Sequence, residues 1–119
     1  MPAHKILHPQ PRRILVIKLG ALGDFVQALG PIRAIRHHHP QAHITLLTRP
    51  PFTALGKACN YFDDVMIDPS PRSVRAWCQW RTQLRAGGFA RVYDLQNNDR
   101  TALYLRLMAG RQRPDWIGA

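Results

Sequence analysis

Residues 19–24 read LGALGD, with glycines at 20 and 23 running into a single aspartate. A glycine lacks Cβ, so Gly20 and Gly23 allow a tight turn and let a ligand approach the backbone. Asp24 has two uses. As a helix N-cap it would accept a hydrogen bond from the first turn, with Gln27 three residues on completing a capping-box-like pattern. As a general base it would need reach to a substrate hydroxyl and a suitably tuned pKa. A helix N-terminus favours the ionised carboxylate, so its proton affinity would have to be recovered by desolvation when substrate binds. A second cluster, QNNDR at 96–100, offers Gln96, Asn97 and Asp99 as hydroxyl partners. Arg100, with Lys18 near the other cluster, suits a phosphate or carboxylate. All of these residue types also favour turns and caps.

The remaining candidates read as structure. His37, His38 and His39 are consecutive, so they diverge on a helix and cannot share a metal as an i, i+4 pair does. A helix C-terminus, which favours positive charge, explains them better. Trp77 and Trp80 share one helix face and read as core or interface, and Asp63 and Asp64 as turn chemistry. Cys59 and Cys78 have neither CxxC nor metal-ligand spacing, so they are expected to be reduced thiols. The glycine spacing fits neither GxGxxG nor GxxxxGK[ST].

The elements that must position these residues follow from hydrophobic periodicity. RILVIKL, from Arg13, is β-branched and almost wholly apolar, as expected of a parallel strand covered on both faces. Phe25, Leu29, Ile32 and Ile35 recur at helical spacing, with Pro31 expected to kink the helix or restart it after Gly30. AHITLLT, DDVMID and ARVYDLQ read as further strands. PPFTALGKACNYF reads as a loop with a short helix, and SVRAWCQWRTQLRAG as a helix closed by Gly87 and Gly88. DRTALYLRLMAG reads as a helix starting from the NND cluster and ending at Gly110. The tail RQRPDWIGA begins an element it does not finish. Strands alternating with helices give an α/β class, a Rossmann-like three-layer parallel sheet with helices on both faces. Its ligand site belongs beyond the C-terminal strand ends, where both clusters fall.

Composition bounds the rest. The 119 residues have room for one domain, expected as a flexible leader at 1–12 and an ordered unit at 13–119. No apolar stretch is long enough to span a bilayer and the start has no signal-peptide core, which points to the cytoplasm. Seventeen Lys plus Arg against seven Asp plus Glu give a formal charge of +10, which suits an anionic partner such as nucleic acid, a phosphorylated small molecule or a membrane surface. No nucleic-acid-binding pattern appears in the sequence.

ILVIKLGALGDFVQALGPIRAIR, followed by ITLLT and by VYDLQNNDRTALYLRL, resembles the N-terminal domain of glycosyltransferase family 9, the ADP-heptose:lipopolysaccharide heptosyltransferases. The most specific parts are the [KR]-x-x-x-x-GD block at Lys18 to Asp24 and V-x-DLQ at Val92 to Gln96. The family proline expected six residues after the aspartate stands one residue later, at Pro31. The resemblance implies the N-terminal half of a GT-B fold, with Asp24 as catalytic base and Lys18, Gly20, Gly23, Gln96, Asn97, Asp99 and Arg100 around the acceptor. It also implies an inverting transfer of a heptose-like sugar from ADP-heptose or a similar nucleotide sugar to an anionic glycolipid, the lipopolysaccharide core. No cofactor or essential metal is implied. Peripheral contact with the cytoplasmic face of the inner membrane is expected, and no nucleic acid. Because the nucleotide-sugar domain is absent from these 119 residues, they are expected to be an inactive fragment. Two other readings of the chain are a non-catalytic Rossmann-like nucleotide-binding module and a basic nucleic-acid or membrane-surface binder.

Overall fold

A computed structural model describes residues 12–109 and 114–118. The leader expected at 1–12, apart from Arg12, and the helix stop expected at Gly110 lie outside the described residues. Five strands, β1 (Arg13–Ile17), β2 (His43–Thr48), β3 (Asp64–Ile67), β4 (Arg91–Asp94) and β5 (Asp115–Gly118), form one sheet. All pairs are parallel, in the order β3-β2-β1-β4-β5. The tail segment is thus a strand, paired to β4 along its length. The helices are α1 (Leu22–His38), α2 (Thr53–Ala58), α3 (Val74–Ala86) and α4 (Asp99–Met108), with a 3₁₀ turn at Pro50–Phe52 leading into α2.

Alternation along β1 divides the core. Ile14 and Val16 pack with Phe25, Ala28, Ile32 and Ile35 of α1 on one face. Leu15 and Ile17 pack with Trp80 and Leu84 of α3 and with Tyr104 and Met108 of α4 on the other. A strand covered on both faces has no solvated side, which is why its sequence is an unbroken apolar run. Trp80 is buried and Trp77 half-buried, both edge-on to Tyr104, so the tryptophan pair belongs to the core.

The expected interruption of α1 does not occur: the helix runs unbroken through Pro31. A proline here withdraws the donor for the Gln27 carbonyl, but Gln27 and Pro31 both lie on an exposed flank where water can satisfy that oxygen. Gly30 eases the other difficulty, because a residue before proline resists the helical region chiefly through its Cβ.

Arginines close the helix C-termini. Arg36 donates through Nη2 to the carbonyls of His39, Pro40 and Ala42 at 2.7, 3.0 and 2.7 Å, and through Nη1 to Asp63 at 3.0 Å. Arg13 donates to the Gly87 carbonyl after α3, and Arg85 to the Leu107 and Ala109 carbonyls at the end of α4. Part of the positive charge therefore sits on carbonyls at the helix ends and in the loop just beyond them.

His37 and His38 occupy the last turn of α1 as expected, but His39 does not act there as a cation. It is 2% exposed, with Nε2 at 2.8 Å from the Tyr93 hydroxyl. Burial above all, and then the neighbouring His38, Arg91 and Arg36, lower its pKa from 6.5. The unfolded chain therefore takes up this proton before the folded chain does, so the stability tied to neutral His39 is complete above about pH 6.5 and is lost as the pH falls below it. Thermal melts from about pH 7.5 down to 5.5 should show a falling midpoint, with a shallower fall in His39→Gln. Equal slopes in the two proteins would remove His39 from the acid response.

Candidate functional site

Register sets the site. Ile17 is level with Leu47 of β2 and with Asp94 of β4, and Thr48 with Ile67 of β3, so the loops leaving these strands emerge side by side. Strand order reverses between β1 and β4, and such a reversal opens a crevice where the following loops diverge. The two sequence clusters leave from that point.

Gly20 turns the chain with φ +135°, a conformation that L side chains rarely adopt, and the Phe52 ring fills the space a Cβ would need, at 2.4 Å. That ring stacks on buried Phe25 with centroids 5.9 Å apart. The turn delivers Ala21, not Asp24, as the N-cap of α1, and no side chain caps it. The capping-box expectation for Asp24 and Gln27 is therefore incorrect, because the helix begins with Leu22, which places Asp24 inside the first turn. There its charge complements the helix dipole. Asp24 is exposed, and its side chain makes no hydrogen bond or ion pair among the described residues.

Two concavities border this turn. One is a cleft of about 580 Å³ lined by Gly20, Ala21, Arg49, Phe52, Gln96, Asn98 and Arg100, with no carboxylate among its lining residues. The other is a recess of about 220 Å³ containing Lys18, Asp24, Gln27, Pro31 and Leu95. Lys18 is 8% exposed and donates from Nζ to the Leu95 carbonyl at 3.2 Å, tying the loop after β1 to the loop after β4 in the recess that Asp24 also lines.

The remaining candidates divide between structure and cleft. Gln96 accepts the Leu19 N–H through Oε1 at 3.0 Å, a second tie between the two loops, and also lines the cleft. Asn97 is a turn residue at φ 53°, its N–H donating to Asp94 Oδ1 at 2.7 Å. Asn98 caps α4 in a reciprocal capping box with Thr101. Asp99 is exposed in the first turn of α4, outside the residues that line the cleft and the recess. Gly23 is helical with nothing within 4 Å of a Cβ placed on it, so the fold itself does not require a glycine there.

Three residues that sequence reasoning missed complete the picture. Arg49, just after β2, lines the cleft with its side chain unpaired among the described residues. Asp94 closes the loop after β4 by accepting the N–H groups of Gln96 and Asn97. Asp68, just after β3, has a fully buried side chain that accepts from the Tyr104 hydroxyl at 2.7 Å, the Ser70 N–H at 2.9 Å and Arg100 Nη1 at 3.3 Å. Burial, followed by this carboxylate, pushes the Tyr104 hydroxyl above its ordinary pKa. Only the strand-end positions of these residues could have been read from sequence, since no local spacing links them. Among the described residues, no group of three His, Cys, Asp or Glu side chains is placed to hold a metal ion, and no helix is long and apolar enough to cross a membrane.

No protein-family model matches the chain, and no curated protein matches it. A solved structure does: the glycosyl transferase family 9 protein from Veillonella parvula DSM 2008, at a TM-score of 0.71 and 22% identity. The match covers 84% of this chain and 30% of that one, so the present residues correspond to under a third of that protein's length. At this identity the likeness is one of fold. It is consistent with the Rossmann-like α/β class read from the sequence.

Proposed function

We propose that these residues form the acceptor-binding domain of an inverting sugar transferase of the family 9 type, with Asp24 as the base and the arginine-lined cleft holding anionic groups of the acceptor. One observation carries the reading. At the point where strand order reverses, a cleft lined by two guanidinium groups and no carboxylate lies near a recess whose aspartate has no partner among the described residues. Held anion and free base are the two requirements of this half-reaction.

In the transfer, the acceptor hydroxyl gives its proton to the Asp24 carboxylate and its oxygen attacks the anomeric carbon of the donor sugar. The bond from that carbon to the diphosphate oxygen breaks on the opposite face, and the nucleoside diphosphate leaves with the electron pair. Configuration at the anomeric carbon inverts. Lys18 lines the same recess as Asp24. The donor on this reading is ADP-heptose or a similar nucleotide sugar, bound by a second domain of the GT-B kind, and without that domain these residues bind acceptor but do not turn over. The acceptor is an anionic glycolipid of the lipopolysaccharide core, met at the cytoplasmic face of the inner membrane. Exposed Leu22 and Val26, one turn apart at the start of α1, suit the lipid-bearing side of such a molecule.

Calorimetry with glucose 6-phosphate and with glucose tests the cleft. The phosphorylated sugar should bind the more tightly, with an affinity that falls as salt rises. Arg49→Ala should weaken it about tenfold, the worth of one charge-assisted contact. Its melting temperature should stay near that of the unaltered chain, because the Arg49 side chain is unpaired among the described residues. Equal affinity for the two sugars would contradict the reading.

A further inference from the structure

Arg100 has two sides. Its side chain is 36% exposed and lines the cleft, yet Nη1 reaches back 3.3 Å to a carboxylate, Asp68, that has no exposed surface at all. The same Nη1 also donates to Ser70 Oγ at 3.1 Å. Asp68 in turn holds Ser70 through its N–H, with Ser70 at φ 47°, and is itself held by the Tyr104 hydroxyl. Arg49, after β2, has no such support among the described residues.

On electrostatics alone this arrangement is a poor one for binding an anion, since a buried negative charge next to the cleft cancels part of the attraction that Arg100 supplies. Its compensation is geometric. A free arginine side chain loses rotamer freedom when it grips a ligand, whereas one already clamped by a carboxylate and a hydroxyl has lost it beforehand. We infer that Asp68 is a positioning residue, which aims the outer edge of the Arg100 guanidinium into the cleft so that an anionic group of the ligand is met in a fixed orientation. The inference rests on the cleft reading above and adds to it an order of dependence, from Asp68 and Ser70 to Arg100 to ligand.

The opposing effects make the test one of sign. Asp68→Asn keeps an acceptor oxygen for Tyr104 and Ser70 but can turn an NH₂ toward Arg100, where two donors repel. If Asp68 is only a nearby charge, losing it should leave glucose 6-phosphate binding unchanged or tighten it. If it positions Arg100, binding should weaken about tenfold, toward the value for Arg100→Gln. Tyr104→Phe should lower stability without changing affinity, because both Arg100 contacts remain. A second readout needs no ligand: nitrogen-detected NMR should find rotation of the Arg100 guanidinium slow in the unaltered chain and fast in Asp68→Asn. Should Asp68→Asn fail to fold, Ser70→Ala removes one of the two Arg100 acceptors and should produce a smaller loss in the same direction.

Weaker binding together with faster guanidinium rotation supports the inference. Undiminished binding in Asp68→Asn, alongside a loss in Arg100→Gln, overturns it and leaves the cleft reading standing. An unaltered chain that binds glucose and glucose 6-phosphate alike overturns both.

Discussion

Asp24→Asn should lower sugar transfer by on the order of 10² to 10⁴, the usual worth of a general base, while the melting temperature barely moves. The substitution keeps size and polarity and removes only the ability to take a proton. A helix cap would blur this test, but Asp24 is not the cap; Ala21 is. What the fold loses is the interaction of one exposed charge with the first turn of α1, worth about 0.3–1 kcal/mol. The assay belongs in the transferase that carries this domain together with its nucleotide-sugar domain, with acceptor binding measured in parallel. Acceptor affinity should be preserved. Near-normal turnover in the asparagine variant would withdraw the catalytic assignment and leave Asp24 as a favourable charge at a helix start.

The two glycines of the same turn should respond in opposite ways. Gly20→Ala forces a Cβ to within 2.4 Å of the Phe52 ring at a backbone φ of +135°. Phe52 cannot simply turn aside, because its ring is stacked on buried Phe25. Strain and overpacking together should cost about 2–4 kcal/mol, a fall in melting temperature of about 10 °C or more in a domain of this size. Gly23→Ala meets nothing within 4 Å. It replaces an exposed helical glycine, so the fold should be unchanged or more stable by about 0.5–1 kcal/mol. If ligand approaches the backbone at Gly23, this stable variant should nonetheless bind glucose 6-phosphate less well. A Gly20→Ala variant as stable as the unaltered chain would show that the turn can relax in a way the packing around Phe52 does not suggest.

What could be read from the sequence was what neighbouring residues decide together. The apolar run at Arg13–Ile17 could only be a buried parallel strand, and the clusters at 19–24 and 96–100 fall at strand ends by simple counting. The start of α1 was misread because an aspartate followed by glutamine three residues later imitates a cap. The chain enters the helix earlier, through a glycine turn braced by Phe52, a contact spanning more than thirty positions that no local pattern records. Pro31 was misread because its cost depends on whether the Gln27 carbonyl faces solvent, which is a fact of packing.

Charge was legible as a total but not in its placement. The arginine surplus suits an anionic partner, and the fold shows which arginines are already engaged: Arg13, Arg36 and Arg85 at helix ends and Arg91 with Asp115 at 3.6 Å. Arg49 and Asp68 went unnoticed because each lies in its own loop, and only the sheet brings those loops beside Arg100. The registers of β2 and β3 against β1 carry that information.

The central claim is that anions are received at the strand reversal rather than wherever this basic surface is most positive. An amide chemical-shift map recorded while glucose 6-phosphate is titrated into the chain tests it most directly. Saturating shifts confined to residues 20–24, to Arg49 and to residues 96–100 are the predicted result. Shifts centred on the helix C-termini around Arg13, Arg36 and Arg85, or shifts that grow without saturating across the whole surface, would contradict it.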